Sequence, residues 1–117
     1  RLSCLTLAQE VSGCRITTVE GLSNGHHLHP IQQTFTECGG SQCGFCTPGF
    51  VVATVAMLEK YPSATPEQMQ RELNGNVCRC GTFNRIYEAS TKARRGQAFQ
   101  GTVDNLAAAV KSEVTRG

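Results

Sequence analysis

The sequence predicts a mainly α fold: a four-helix bundle with pseudo-twofold symmetry, preceded by a short β segment. Three observations carry this. Four stretches place apolar residues at helical spacing, bounded by prolines, polar caps and glycines. The four stretches fall into two copies of one pattern: helix, glycine turn, two closely spaced cysteines, helix. Upstream of them lie two short runs of strand character.

Taken in order, residues 2–8 (LSCLTLA) alternate loosely and residues 15–20 (RITTVE) are β-branched, so both are expected as strands. Residues 21–25 (GLSNG) form a turn. Pro30 opens a helix that carries Ile31, Phe35 and Cys38 on one face and stops at Gly39-Gly40. Thr47-Pro48 launches a second helix through Lys60, whose nearly continuous apolar surface marks it as buried and central. Tyr61-Pro62 ends it. Thr65-Pro66-Glu67-Gln68 has the spacing of a capping box and starts a third helix, which buries Met69 and Leu73 before Asn74-Gly75. A fourth runs over 84–95 and offers Ile86, Tyr87 and Ala93 to the core. The repeat places both cysteine pairs at the same end of the bundle. The chain divides into three regions: the β segment 1–22, the helical domain 23–95, and a linker and tail 96–117 in which Asp104 caps a short helix through Val110. The chain opens on Arg1 with no signal peptide in view, which predicts that the natural N-terminus lies upstream.

Composition narrows the function classes. With 117 residues, 39% hydrophobic and 17% charged, the chain is an ordinary globular domain in size and make-up. It has no tryptophan, five phenylalanines and two tyrosines, so the core is aliphatic and a bound metal would help it reach stability. A net charge of +2 does not point to nucleic acid or to a membrane surface. The longest apolar run, 50–58, is interrupted by Thr54 and is too short to span a bilayer.

The chemistry is in the cysteines. Cys43 and Cys46 form a C-x2-C pair and Cys78 and Cys80 a C-x-C pair, while Cys4, Cys14 and Cys38 are scattered. Seven is an odd count, and local pairing suits reduced metal-binding thiols better than a disulfide scaffold. Four thiolates make a soft, anionic cage for zinc or an iron–sulfur cluster. Each pair precedes a helix N-terminus, where free N–H groups stabilise negative charge. Gly44 and Gly81 let the backbone approach sulfur closely. A structural zinc site prefers two pairs at C-x2-C or longer spacing, so C-x-C favours iron–sulfur while leaving a zinc-stabilised interaction module open. A thioredoxin-like redox motif would leave the second pair without a role. Arg79 lies between two of these cysteines and is a solvated side chain on sequence grounds. His26, His27 and His29 form H-H-x-H, which fits a loop into a proline-started helix with His29 near the cap better than it fits a metal site.

The words around the cysteines go further than their spacing. GSQCGFCTPGF (40–50) and LNGNVCRCGTF (73–83) closely resemble the small iron–sulfur subunit of the molybdenum hydroxylases, the family of xanthine, aldehyde, isoquinoline, nicotinate and carbon monoxide oxidoreductases. SCLTLA (3–8), VEGL (19–22) and LHPIQQTF (28–35) agree in the same order. The resemblance implies two [2Fe-2S] clusters. One is held by a plant-type ferredoxin, or β-grasp, domain, of which 1–22 would be the C-terminal remnant. The other is held by the helical domain through Cys43, Cys46, Cys78 and Cys80. Cys4 matches the last ligand of the plant-type cluster, its partners lying upstream. Gln42 resembles a glutamine that contacts the molybdopterin cofactor of a large partner subunit, and Cys80 a ligand that also lies against the pterin. Cys14 and Cys38 match no ligand, and Cys38 is expected as a small buried hydrophobe.

By this resemblance the chain is an electron-transfer subunit of a molybdenum-containing oxidoreductase. Electrons left on molybdenum by a large subunit would pass through the clusters to FAD on a medium subunit or to a cytochrome. The compartment expected is cytoplasmic, or periplasmic if the chain is exported with its partner. The chain itself shows no catalytic triad, acid–base pair or phosphate loop, so no catalytic residue is assigned in it.

Overall fold

A buried histidine begins the first helix of the computed structural model, which describes residues 1–95. Helix α1, Pro30–Glu37, is capped by His29: its Nδ1 accepts the Ile31 N–H at 3.1 Å, and Gln32 Oε1 accepts the His29 N–H at 2.9 Å. That reciprocal pair satisfies two donors that a helix start leaves open. Gln32 also donates to the Val19 carbonyl at 3.1 Å and so ties the N-terminal segment to α1. The helix ends at Cys38, and Gly39 follows with φ 65°. Gly40 N–H then returns to the Phe35 carbonyl at 2.8 Å, and a Cβ at Gly40 would press to 3.1 Å on the Phe35 ring.

Helix α2, Thr47–Lys60, is the central element and buries Phe50, Val51, Thr54, Val55, Met57 and Leu58. Helix α3, Pro66–Leu73, is capped by Thr65, whose hydroxyl accepts the Gln68 N–H at 3.2 Å, the threonine half of the expected box. It buries Met69 and Leu73. Helix α4, Phe83–Arg95, turns Ile86, Ala89, Ser90 and Ala93 inward, with Tyr87 half-buried. α1 lies along α4, α2 packs against α3, and one continuous apolar core joins all four. Phe50 and Phe83 meet edge to face at 6.1 Å, and Phe83 stacks with Tyr87 at 6.4 Å.

Polar ties close the bundle at three places. Thr54 Oγ1 and Ser90 Oγ meet at 3.3 Å between α2 and α4. Arg94 donates to the Ala64 carbonyl at 2.6 Å and holds the turn between α2 and α3. Lys92 pairs with Glu37 across α1 and α4.

The N-terminal expectation is corrected. Residues 2–8 and 15–20 are not strands; the segment forms three 3-10 turns, Ser3–Leu5, Ala8–Val11 and Val19–Leu22, and no strand occurs among the described residues. Local bonds replace a ladder: Leu5 N–H to Leu2 O at 3.1 Å, Glu10 N–H to Leu7 O at 3.0 Å, Gly21 N–H to Thr18 O at 3.1 Å. A strand needs a neighbour for its N–H and C=O groups. Of residues 1–22 only Leu22 is buried, so no packing force extends the chain. The predicted linker and the short helix after Asp104 lie outside the described residues.

Candidate metal centre

Both cysteine pairs emerge from turns that run directly into a helix. Cys46 is the residue before α2, and Cys78 and Cys80 sit in the turn before α4. Gly44 and Gly81 hold φ of 82° and 75°, the left-handed region that a side chain disfavours. The first turn of α2 lies against the approach to the second cysteine turn, since a Cβ at Gly49 would stand 3.4 Å from Asn76 Oδ1. Thr47 Oγ1 donates to Ser41 Oγ at 2.9 Å and closes the first turn on itself.

The thiols of the two turns act on one another: the Cys80 thiol on the ionisation of Cys43, and the Cys78 thiol on that of Cys46. The Phe45 N–H bonds to the Cys43 sulfur and, with the Cys80 thiol, holds the Cys43 pKa below its ordinary value. The Thr82 N–H points at Cys78 Sγ from 3.4 Å, and with the Thr82 hydroxyl it brings the Cys78 pKa down to about 7. Burial first, and the neighbouring Cys78 next, push the Cys46 pKa up to about 11.

That donor set fits a two-metal thiolate centre. Four thiols from two facing turns, close enough to act on one another's ionisation, supply the soft sulfur ligands that an iron–sulfur cluster takes. Among the described residues no three His, Cys, Asp or Glu side chains are grouped so as to hold one metal ion. The exposure is graded: Cys78 is buried, Cys46 half-buried, Cys43 and Cys80 open to solvent.

The other sequence candidates are dispersed or have structural roles. Gln42 is exposed in the first cysteine turn. Cys4 is an exposed thiol in the Ser3–Leu5 turn, and Cys14 is also exposed. Cys38 is half-buried at the end of α1, so the expectation of a fully buried thiol holds only in part. His29 is the cap of α1, while His26 and His27 are exposed in the preceding loop. Sequence reasoning missed Thr82. It is buried, and its hydroxyl lies 3.6 Å from Cys78 Sγ, a contact whose only trace in the sequence is a threonine one residue before a helix start.

Four helices presenting two cysteine turns at one end define a small cluster-binding domain. Residues 18–91 match the [2Fe-2S] binding domain family, and the chain belongs to that family. Its relatives are much longer proteins. It is 40% identical over 88 residues to the aldehyde oxidase of Homo sapiens, covering 74% of this chain and 7% of that protein. It is 38% identical over 104 residues to the xanthine dehydrogenase/oxidase of Mus musculus, covering 88% of this chain and 8% of that one. The chain thus spans about 7% of the length of the first curated relatives it matches. Among solved structures it is similar to quinoline 2-oxidoreductase from Pseudomonas putida 86, with TM-score 0.79 and 38% identity over 87% of this chain and 64% of that chain. It is also similar to the aldehyde oxidoreductase of Desulfovibrio gigas, with TM-score 0.74 and 33% identity over 79% of this chain and 10% of that chain.

Proposed function

We propose that the chain is the electron-transfer iron–sulfur domain of a molybdopterin-dependent hydroxylase or dehydrogenase, with Cys43, Cys46, Cys78 and Cys80 as the cluster ligands. The single observation that carries this is the match of residues 18–91, which contain all four of these cysteines, to the [2Fe-2S] binding domain family. When bound, a [2Fe-2S] cluster stores and releases one electron at a time. The chain's own groups hold the sulfurs and offset their charge. The Phe45 and Thr82 N–H groups donate to Cys43 and Cys78, and the starts of α2 and α4 face the same end. Zinc is the poorer fit, since a structural zinc prefers two pairs at C-x2-C or longer spacing and Cys78 and Cys80 are C-x-C.

The wider reading draws on the relatives. An aldehyde oxidase, a xanthine dehydrogenase/oxidase and two bacterial oxidoreductases contain matching stretches, which supports a large molybdopterin-binding partner and an onward path to FAD or a cytochrome. Gln42 and Cys80, both exposed at the thiol end, are the residues we assign to contact with the pterin. We divide the chain into a ferredoxin-domain remnant at 1–22, a cluster-binding domain at 23–95 and a tail at 96–117. The exposure of Leu2, Leu5, Leu7 and Ile16 supports the first, since such residues belong against another surface. Cys4 then serves a second, plant-type cluster. The pairing of α1 with α4 and of α2 with α3 is what a pseudo-twofold axis would produce. No described helix is long and apolar enough to cross a membrane. We expect a cytoplasmic enzyme, or a periplasmic one if chain and partner are exported together.

Metal analysis tests the core of this. The reconstituted chain should carry about two irons and two inorganic sulfides, with a paramagnetic signal on reduction. Cys78→Ser should lose the cluster and loosen the bundle, because metal binding and folding are coupled. Zinc without sulfide in the wild type, or full iron content in the variant, would overturn the assignment.

A further inference from the structure

Thr82 precedes α4 but does not use its hydroxyl as a helix-capping threonine does. The usual cap accepts an N–H from the second or third helical residue. Here the Arg85 N–H goes to the Thr82 backbone carbonyl at 3.1 Å, and the hydroxyl lies 3.6 Å from Cys78 Sγ. The Thr82 N–H reaches the same sulfur at 3.4 Å. Thr82 is 6% exposed and Cys78 7%, so bulk water does not compete for either group.

As a free thiol, Cys78 is the donor in the contact with the hydroxyl. A metal-bound sulfur has given up its proton. The hydroxyl hydrogen is then the one available between the two atoms, and rotation of the hydroxyl aims it at sulfur. We infer that Thr82 is a positioning residue that sets the reduction potential of the centre through two hydrogen bonds to the single sulfur of Cys78. When one electron enters from an electrode or a chemical reductant, no covalent bond forms or breaks and no proton moves. The centre becomes one unit more negative, and donors already aimed at Cys78 favour that state. The pattern is lopsided, since a deprotonated Cys78 would have both the amide and the hydroxyl of Thr82 within reach, at 3.4 and 3.6 Å, while Cys43 receives the amide of Phe45.

The test is a redox titration of the full reconstituted chain, followed by its paramagnetic signal. Thr82→Val keeps the side-chain shape and the N–H but removes the hydroxyl; Thr82→Ser keeps the hydroxyl. Thr82→Val should lower the reduced fraction at fixed potential by up to about tenfold, equivalent to about 59 mV for a one-electron couple. Thr82→Ser should titrate like the wild type. An unmoved midpoint in Thr82→Val with full iron content overturns the inference, as does an equal shift in Thr82→Ser. Should Thr82→Val fail to load, the wild type in D2O decides: a rapidly exchanging proton coupled to the reduced centre is required, and its absence overturns the idea. The inference rests on Cys78 being a ligand. Full iron in Cys78→Ser sinks that reading and this one together, whereas cluster loss there with an unmoved Thr82→Val midpoint sinks this one alone.

Discussion

His29 is 3% exposed, and its Nδ1 is the acceptor that caps α1. Only a neutral imidazole can accept at that atom. Burial holds the His29 pKa below its ordinary value of 6.5, because the charged ring loses solvation. The unfolded chain then takes up a proton at higher pH than the folded one. The cap contributes in full above the ordinary value, and the contribution falls away as pH drops towards the lowered folded value. Thermal melts between about pH 8 and pH 5 should therefore show an acid-side loss of stability in the wild type. His29→Asn, which keeps a capping oxygen but does not titrate, should lose less over the same interval. Parallel pH curves for the two proteins would remove His29 from the explanation. The cap position itself was legible, because a proline at the first helical residue marks the one before it. The buried state of the ring was not, since it depends on how Val19 and the segment before it fold back through Gln32.

At the scale of elements, α2 and α4 are joined by a buried hydroxyl pair inside an otherwise apolar contact. Ser90 Oγ donates its one hydrogen to the Ile86 carbonyl at 2.8 Å, so in the 3.3 Å contact Thr54 must be the donor. Thr54→Val removes that donor without changing shape and should cost about 1 kcal/mol. Ser90→Ala leaves the Thr54 hydroxyl without its acceptor and should cost more, up to about 3 kcal/mol. The double variant should cost less than the sum, measured by denaturant unfolding; strict additivity would mean that the pair does not interact. The helices were legible because prolines, caps and glycines punctuate them. Thr54 showed only as an interruption in an apolar run, since its partner is thirty-six positions away in the chain. The N-terminal strands were misread for a related reason. Alternation in 2–8 and β-branching in 15–20 describe what a chain would do beside a partner strand, and the described residues offer none.

On the scale of the whole molecule, the bundle sorts its surfaces. The core lies between the four helices, while the thiol end carries Phe45 at 95% exposure and Val77 at 79%, each next to a proposed ligand. Gln42, Arg79 and Cys80 are exposed in the same two turns. Phe45 contributes almost nothing to the fold by burial, so its side chain needs another explanation than stability. An exposed aromatic beside a polar glutamine and an arginine has the composition of an interface centre. If the thiol end meets the molybdopterin-binding partner, Phe45→Ser should leave iron content and melting temperature close to wild type. It should weaken assembly by about 2 kcal/mol or more, roughly thirtyfold in Kd, as truncation of a central aromatic does. Titration of the loaded domain against the isolated partner subunit measures this. Unchanged affinity would move the docking face away from the thiol end, and the electron would then have to leave by a longer route than the exposed Cys80 offers.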